Sequence, residues 1–207
     1  EQILLLLNDR LNNVNIEFNN IALVGDAGIG KTTLIQCLAE SLNIPFEHIS
    51  MGLLHDGTWL SGHDYTYIGA RPGHIIEWII RMKCLNGIIF FDELDKIFNN
   101  NGTSDKSHEI MNQLIHITDY KQNKYYKDNY MNIPVDLWNI WLIFSLNDEH
   151  ILNNILHNRL SFIRMSSYSN KDKIEIINKH LIPNARIKYN LGENKLIFTK
   201  EIISYII

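Results

Sequence analysis

Eight residues, Gly25-Asp-Ala-Gly-Ile-Gly-Lys-Thr32, constrain this chain more than any other feature. They match G-x-x-x-x-G-K-[ST], the pattern of a loop that wraps a polyphosphate. Such a loop brings backbone N–H groups close to phosphate oxygens, so glycines are needed where side chains would collide. It must also join a buried strand to a helix whose N-terminus faces the anion. The flanking sequence meets that demand. Ile21–Val24 is a short apolar run, and Lys31–Leu42 carries Leu34, Leu38 and Leu42 at helical spacing. Gly25, Asp26, Ala27, Gly28, Ile29, Gly30, Lys31, Thr32 and Thr33 are therefore the expected nucleotide contacts. Lys31 supplies a charge for the β and γ phosphates, and the Thr32 hydroxyl is a ligand for Mg²⁺.

Further strands are expected at Phe46–Ser50, Gly87–Phe91, Asn139–Ser145 and Ser161–Met165. Between them lie a helix opened by Pro72 and reaching about Leu85, one ending near Ile117, and a short one over His150–Leu156. Met51–Gly69 reads as a long loop, Asn99–Ser107 as a turn, and Asp119–Asp136 as a polar, tyrosine-rich stretch. Strands alternating with helices specify an α/β fold with a parallel five-stranded sheet flanked by helices. Helices from about Lys171 to Leu181 and from Lys200 onward have no strand partner and read as the start of a small helical lid. The expected division is an N-terminal helix and connector over 1–19, a large α/β domain over 20–167, and the lid from 168 to 207. The chain starts at Glu1 and stops inside an apolar pattern, so it reads as part of something longer.

Ile88-Ile-Phe-Phe-Asp92-Glu93 delivers two carboxylates at the end of an apolar strand, where open α/β sheets bind ligands. Beside a phosphate loop, Asp92 is expected to hold Mg²⁺, through water, and Glu93 to polarise an attacking water. Asn147 ends another apolar strand and can orient that water; in a chain with 25 asparagines an ordinary polar strand end is the competing reading. Arg159, one of six arginines, is either a finger reaching a neighbouring subunit or a surface charge. Asp95 and Lys96 read as an exposed helix start, and Cys37 as core.

Composition limits the alternatives. Nineteen Lys and Arg against 23 Asp and Glu leave a net charge of −4, which argues against a protein held to nucleic acid by bulk positive charge. Cys37 and Cys84 are too few for a disulfide scaffold, and an intracellular setting is the simplest reading. No apolar run approaches the ~18 residues a bilayer span needs. Thirty-four Ile against 5 Ala make propensity a weak guide in this chain.

From Ile21 to about Ile187 the chain resembles the AAA+ ATPase module of the Lon proteases. The resemblance rests on GDAGIGKTTL at 25–34, SGHDYTYIGARPGHII at 61–76, IIFFDELDKI at 88–97 and NIPVDLWNIWLIFSLND at 132–148. The second and fourth are more diagnostic than the nucleotide motifs, which any AAA+ protein shares. The resemblance implies ATP and Mg²⁺ as ligands, a sensor role for Asn147 and a finger role in trans for Arg159. It also implies a homo-oligomeric ring, a hexamer in the family, whose axial pore is lined by Tyr67 and Ile68 gripping protein substrates. Asp119–Asp136 falls near a second pore-facing loop, where Lys121, Lys124 and Lys127 interleave with Tyr125, Tyr126 and Tyr130.

Several positions depart from the family. Asp26 and Ala27 stand where two prolines are usual, and Ser61, Asp64 and Tyr65 replace basic residues around the pore motif. No serine sits in the setting of a Ser–Lys proteolytic domain, so peptide hydrolysis is not assigned to this chain. Two other classes remain open from sequence: a motor acting on nucleic acid or protein complexes without proteolysis, and a nucleotide-switched scaffold. His55, His63 and His74 with Asp56 and Asp64 fit no zinc spacing, and Trp59 reads as packing.

Overall fold

β1 (Asn20–Val24) is the centre of the design, because its C-terminal end launches the phosphate loop. The structure, a computed structural model, describes residues 20–54, 57–99 and 105–192, with 5, 198, 202, 203 and 205. The expected N-terminal helix, the middle of the expected Asn99–Ser107 turn, the helix from residue 200, and His55 and Asp56 lie wholly or mostly outside these residues; the described ends of that turn, Asn99 and residues 105–107, are helical rather than turn.

β1 is followed by α1 (Lys31–Leu42), β2 (Phe46–Ser50), the short α2 (Thr58–Ser61), α3 (His74–Met82) and β3 (Ile88–Asp92). The chain continues through α4 (Lys96–Asn99), α5 (Asp105–Thr118) and a two-stranded antiparallel ribbon of β4 (Tyr126–Lys127) and β5 (Pro134–Val135). Then come β6 (Trp141–Leu146), α6 (Asn154–His157) and β7 (Leu160–Arg164). The main sheet has the order β2-β3-β6-β1-β7, every pair parallel. Burial on both faces explains the apolar strands: Ile88 to Phe91 are all fully buried. One face packs on Ile35 and Ala39, the other on Trp78, Ile75, Ile110 and Leu114.

The phase of α1 differs from the sequence expectation. Its buried positions, spaced by four, are Lys31, Ile35 and Ala39, while Leu34 and Leu42 are exposed. The phosphate loop sets this phase, since Lys31 must turn inward and residues four apart share its face. Cys37 is exposed for the same reason, not core.

Residues 1–165 and 166–207 form two compact units. The second carries one helical run rather than a helix stopping at Leu181: α7 (Asn170–Ile176), a π turn over Ile177–Leu181, and α8 (Ile182–Lys188). Ser169 and Asp172 close a capping box at its start. Pro183, which lacks an N–H and so interrupts the i→i−4 ladder, follows the wider π turn, and the run continues past it.

Candidate nucleotide site

The C-terminal ends of β1, β3 and β6 are neighbours, so the sheet itself assembles the site. Gly25 N–H donates to the Leu146 carbonyl across β1 and β6 (3.2 Å). Within the loop Gly28 and Gly30 take φ of 81° and 88°, the left-handed region that glycine enters without strain. A side chain added at Gly28 would meet nothing within 4 Å, so the cradle opens outward there. The Leu34 N–H donates back to the Gly30 carbonyl (2.9 Å), starting α1 with its N-terminus toward the cradle.

Lys31 is only 8% exposed, and its Nζ donates to the Gly25 and Asp26 carbonyls and to Asn147 Oδ1 (3.0 Å). Burial holds its ammonium pKa below the usual lysine value, against the opposing pull of Asp92, Asp95, Asp26 and Glu93. Thr32 Oγ1 donates to Asp92 Oδ2 (2.8 Å). Two hard oxygen ligands thus stand together, a donor set suited to Mg²⁺. Asp92 also accepts from the Ser145 hydroxyl and pairs with His48 Nε2 (2.9 Å). Burial pushes the Asp92 carboxyl upward, but the bonds from Ser145, His48 and Thr32 outweigh it and leave the pKa below the ordinary carboxylate value.

Glu93 follows in the left-handed region (φ 59°), held by its N–H donating to Ser145 Oγ (2.9 Å). Its carboxylate pairs with Lys96 (2.7 Å). Asn147 is aimed by Asp95, which accepts from its N–H (3.2 Å) and its Nδ2 (3.1 Å). Asp95 is therefore not part of an exposed helix start. It is 5% exposed and faces the site, whereas Lys96 is half exposed as expected.

Arg159 lies apart from this cluster. Its carbonyl accepts from Asn20 N–H at the opposite end of β1, a strand length of roughly 16 Å from the loop. Its guanidinium donates to the Ile115 carbonyl and to Asp119 (2.9 Å). Tyr67 and Ile68 tip a loop bounded by Gly62 and Gly69 (φ 81° and 82°) and are 70% and 107% exposed. Tyr126 is buried, its OH donating to the Leu60 carbonyl, so it does not join Tyr125 on the surface. His74 bonds to Glu47 (2.7 Å) and stacks on Trp59 (centroids 4.1 Å apart). Among the described residues no group of three or more His, Cys, Asp or Glu is arranged to hold a metal ion.

Sequence reasoning missed Ser145, His48 and Asp95. Ser145 had a signal: it is the one hydroxyl in an otherwise apolar strand buried on both faces. A buried hydroxyl needs partners, and this one bridges Asp92 to the Glu93 backbone.

Residues 21–168 match the family model described as "ATPase family associated with various cellular activities (AAA)". The chain belongs to the AAA ATPase family. A Lon protease of Malacoplasma penetrans is 35% identical over 207 residues, all of this chain and 26% of that protein. A Lon protease homolog of Acanthamoeba polyphaga mimivirus is 36% identical over 189 residues, 90% of this chain and 18% of that one. "Lon protease homolog 2, peroxisomal" of Caenorhabditis briggsae is 36% identical over 162 residues, 78% of this chain and 20% of that one. The chain thus spans about a quarter or less of the length of these curated relatives. It is a Lon-family AAA+ module, with the five-stranded parallel α/β fold described above, and an ATP hydrolase. Among the described residues no helix is long and apolar enough to cross a membrane.

Proposed function

We propose that this AAA+ module couples ATP hydrolysis to the unfolding and translocation of protein substrates in a ring of identical subunits, inside the cell. The carrying observation is the Tyr67–Ile68 tip. A largely exposed aromatic–aliphatic pair stands at the end of a glycine-bounded loop, on a domain that also carries the Lys31, Thr32, Asp92 and Asn147 cluster. An aromatic–aliphatic pair presented together at a loop tip is suited to contact with another chain. Relatives named as proteases favour an unfolded polypeptide as that chain, and the net charge of −4 disfavours nucleic acid.

In this reading the loop from Gly25 to Thr33 holds the polyphosphate, with Lys31 against its outer phosphates. Thr32 and Asp92 would hold Mg²⁺, Asp92 through water, and the ion would supply positive charge against the phosphates. Glu93 takes the proton side of the attacking water, and Asn147, fixed by Asp95, orients it. Arg159 serves the neighbour's site, since a strand's length separates it from its own. A hexamer is the ring size the family suggests. The unit from Ser166 onward is the beginning of the lid.

The test is Tyr67→Ala in the full-length protein. Processing of a folded protein should fall by a far larger factor than ATP turnover. A variant that still processes folded substrates at the wild-type rate rules out threading by this loop.

A further inference from the structure

The base of the Tyr67–Ile68 loop is as tightly held as its tip is bare. His63 N–H donates to the Arg71 carbonyl (3.1 Å), closing the loop over residues 64–70. Beneath that closure sits the Asp128 carboxylate, fully buried. It accepts from Gly73 N–H (2.7 Å) through one oxygen and from Tyr130 N–H (2.9 Å) and Met131 N–H (3.0 Å) through the other. Among the described residues no basic side chain pairs with it. A buried carboxylate is costly unless hydrogen-bonded, and here backbone donors alone supply the bonds.

Its neighbours tie the same two segments together. Asn129 N–H donates to the Ser61 carbonyl (2.7 Å), and its Nδ2 to the Gly62 carbonyl (3.1 Å). The Tyr126 hydroxyl donates to the Leu60 carbonyl (3.0 Å); burial, then the nearby Asp128 charge, pushes its pKa far up, so it stays a donor. Gly62 explains itself by this contact. A Cβ there would lie 2.8 Å from Asp128 Oδ2 and 2.8 Å from Gly73 N, so the carboxylate occupies the place of a side chain.

We propose that Asp128 is a positioning residue that anchors the base of the Tyr67–Ile68 loop to the 126–131 segment, so that a pull on the tip is carried into the body of the domain. This rests on the threading reading above. The donors to Asp128 come from both segments, so its carboxylate cross-links the base of the loop to residues 130 and 131.

Asp128→Asn keeps the shape but turns one oxygen into an NH₂ group, which must then face a backbone N–H. In the full-length protein, hydrogen exchange should show the Gly73, Tyr130 and Met131 amides losing protection by roughly 10–100-fold, the equivalent of losing bonds to a charged group. Amides of the phosphate loop should be unchanged. Folded substrate processed per ATP hydrolysed should fall by on the order of 10-fold, with basal ATP hydrolysis retained. In a Tyr67→Ala background the same substitution should add almost nothing, because both act through one loop. Asn129→Ala, at an exposed position that cannot threaten folding, should follow the same pattern with a loss of roughly 2–10-fold.

Retained protection in Asp128→Asn overturns the anchor. Lost protection with full processing per ATP, while Tyr67→Ala abolishes processing, overturns the transmission of the pull through Asp128 and leaves threading intact. If Tyr67→Ala processes normally, the threading reading falls and takes the role of Asp128 in transmitting the pull with it. Additive losses from Asp128→Asn and Tyr67→Ala show a merely structural carboxylate and also refute the proposal.

Discussion

Replacing Lys31 by methionine separates what the lysine does for the fold from what it does for ATP. Its Nζ has only carbonyl and amide oxygens as direct partners, and burial keeps its pKa below 10.5. The protein environment thus disfavours the ammonium relative to water. Methionine keeps an unbranched chain of similar length and removes that charge. The acceptors left behind belong to Gly25, Asp26 and Asn147, which are half-buried or exposed, so water can replace Nζ. Without nucleotide, Lys31→Met should therefore melt at or above the wild-type temperature. Adding ATP–Mg²⁺ at about 100 times Kd stabilises a binding protein by about 2.7 kcal/mol. For a chain of this size that is roughly 5–11 °C in Tm. The wild type should show this shift in a thermal melt, and Lys31→Met should show none. The pH dependence has a definite sign. Because the folded pKa is the lower one, the penalty on wild type is complete below it and disappears as pH rises from that value to about 10.5. Lys31→Met should lose its relative advantage across that window. A variant destabilised by more than about 2 kcal/mol without ATP would refute the burial argument, since the lysine would then be a net stabilising charge. A retained ATP shift would refute the phosphate contact.

Other substitutions probe the second layer of the site. Ser145→Ala should cost about 1–3 kcal/mol in stability by stranding the Glu93 N–H and one Asp92 oxygen, and should lower ATP turnover more than ATP affinity. Asp95→Ala should release Asn147 and reduce kcat while KM for ATP moves little, read from steady-state phosphate release. Glu93→Gln should bind ATP and fail to turn it over; mixed with Arg159→Ala subunits it should regain some activity, because one interface then pairs an intact Glu93 with an intact Arg159. No recovery in proven mixed assemblies excludes action in trans.

The strands were legible because a sheet buried on both faces demands continuous apolar runs, and Ile21–Val24 and Ile88–Phe91 are such runs. The phosphate loop was legible because few residue patterns allow backbone to wrap an anion. Helix phase was not legible in α1. Leu34, Leu38 and Leu42 form a helical stripe on paper, but the inward turn of Lys31 selects Ile35 and Ala39 instead. Asp95 was misplaced because a charged residue after a strand is ordinarily solvated, and only the β3–β6 pairing brings Asn147 over it. Asp128 was hidden for a like reason. A polar stretch rich in lysine and tyrosine gives no sign that one of its carboxylates is enclosed by backbone N–H groups from residues 73, 130 and 131.

Burial divides the site into members that hold position and members that can leave. Asp92 is backed by Ser145, which is fully buried, and Asn147 by Asp95, which is nearly so. Moving either would strand a polar group away from water at a cost of about 1–3 kcal/mol. Glu93 is held differently. Its pair with Lys96 is half exposed on the lysine side and 38% exposed on its own, and such surface pairs are worth about 0–1 kcal/mol. In its proposed role the carboxylate could thus swing toward an attacking water at little cost, while the left-handed backbone beneath it stays pinned by Ser145. Arg159 falls between these cases. Its pair with Asp119 is 25% and 17% exposed and is reinforced by the Ile115 carbonyl, so turning it toward a neighbouring subunit costs more than freeing Glu93. In the proposed ring the nucleotide of that neighbour would be the compensating partner, which would make completion of the site the step most sensitive to assembly.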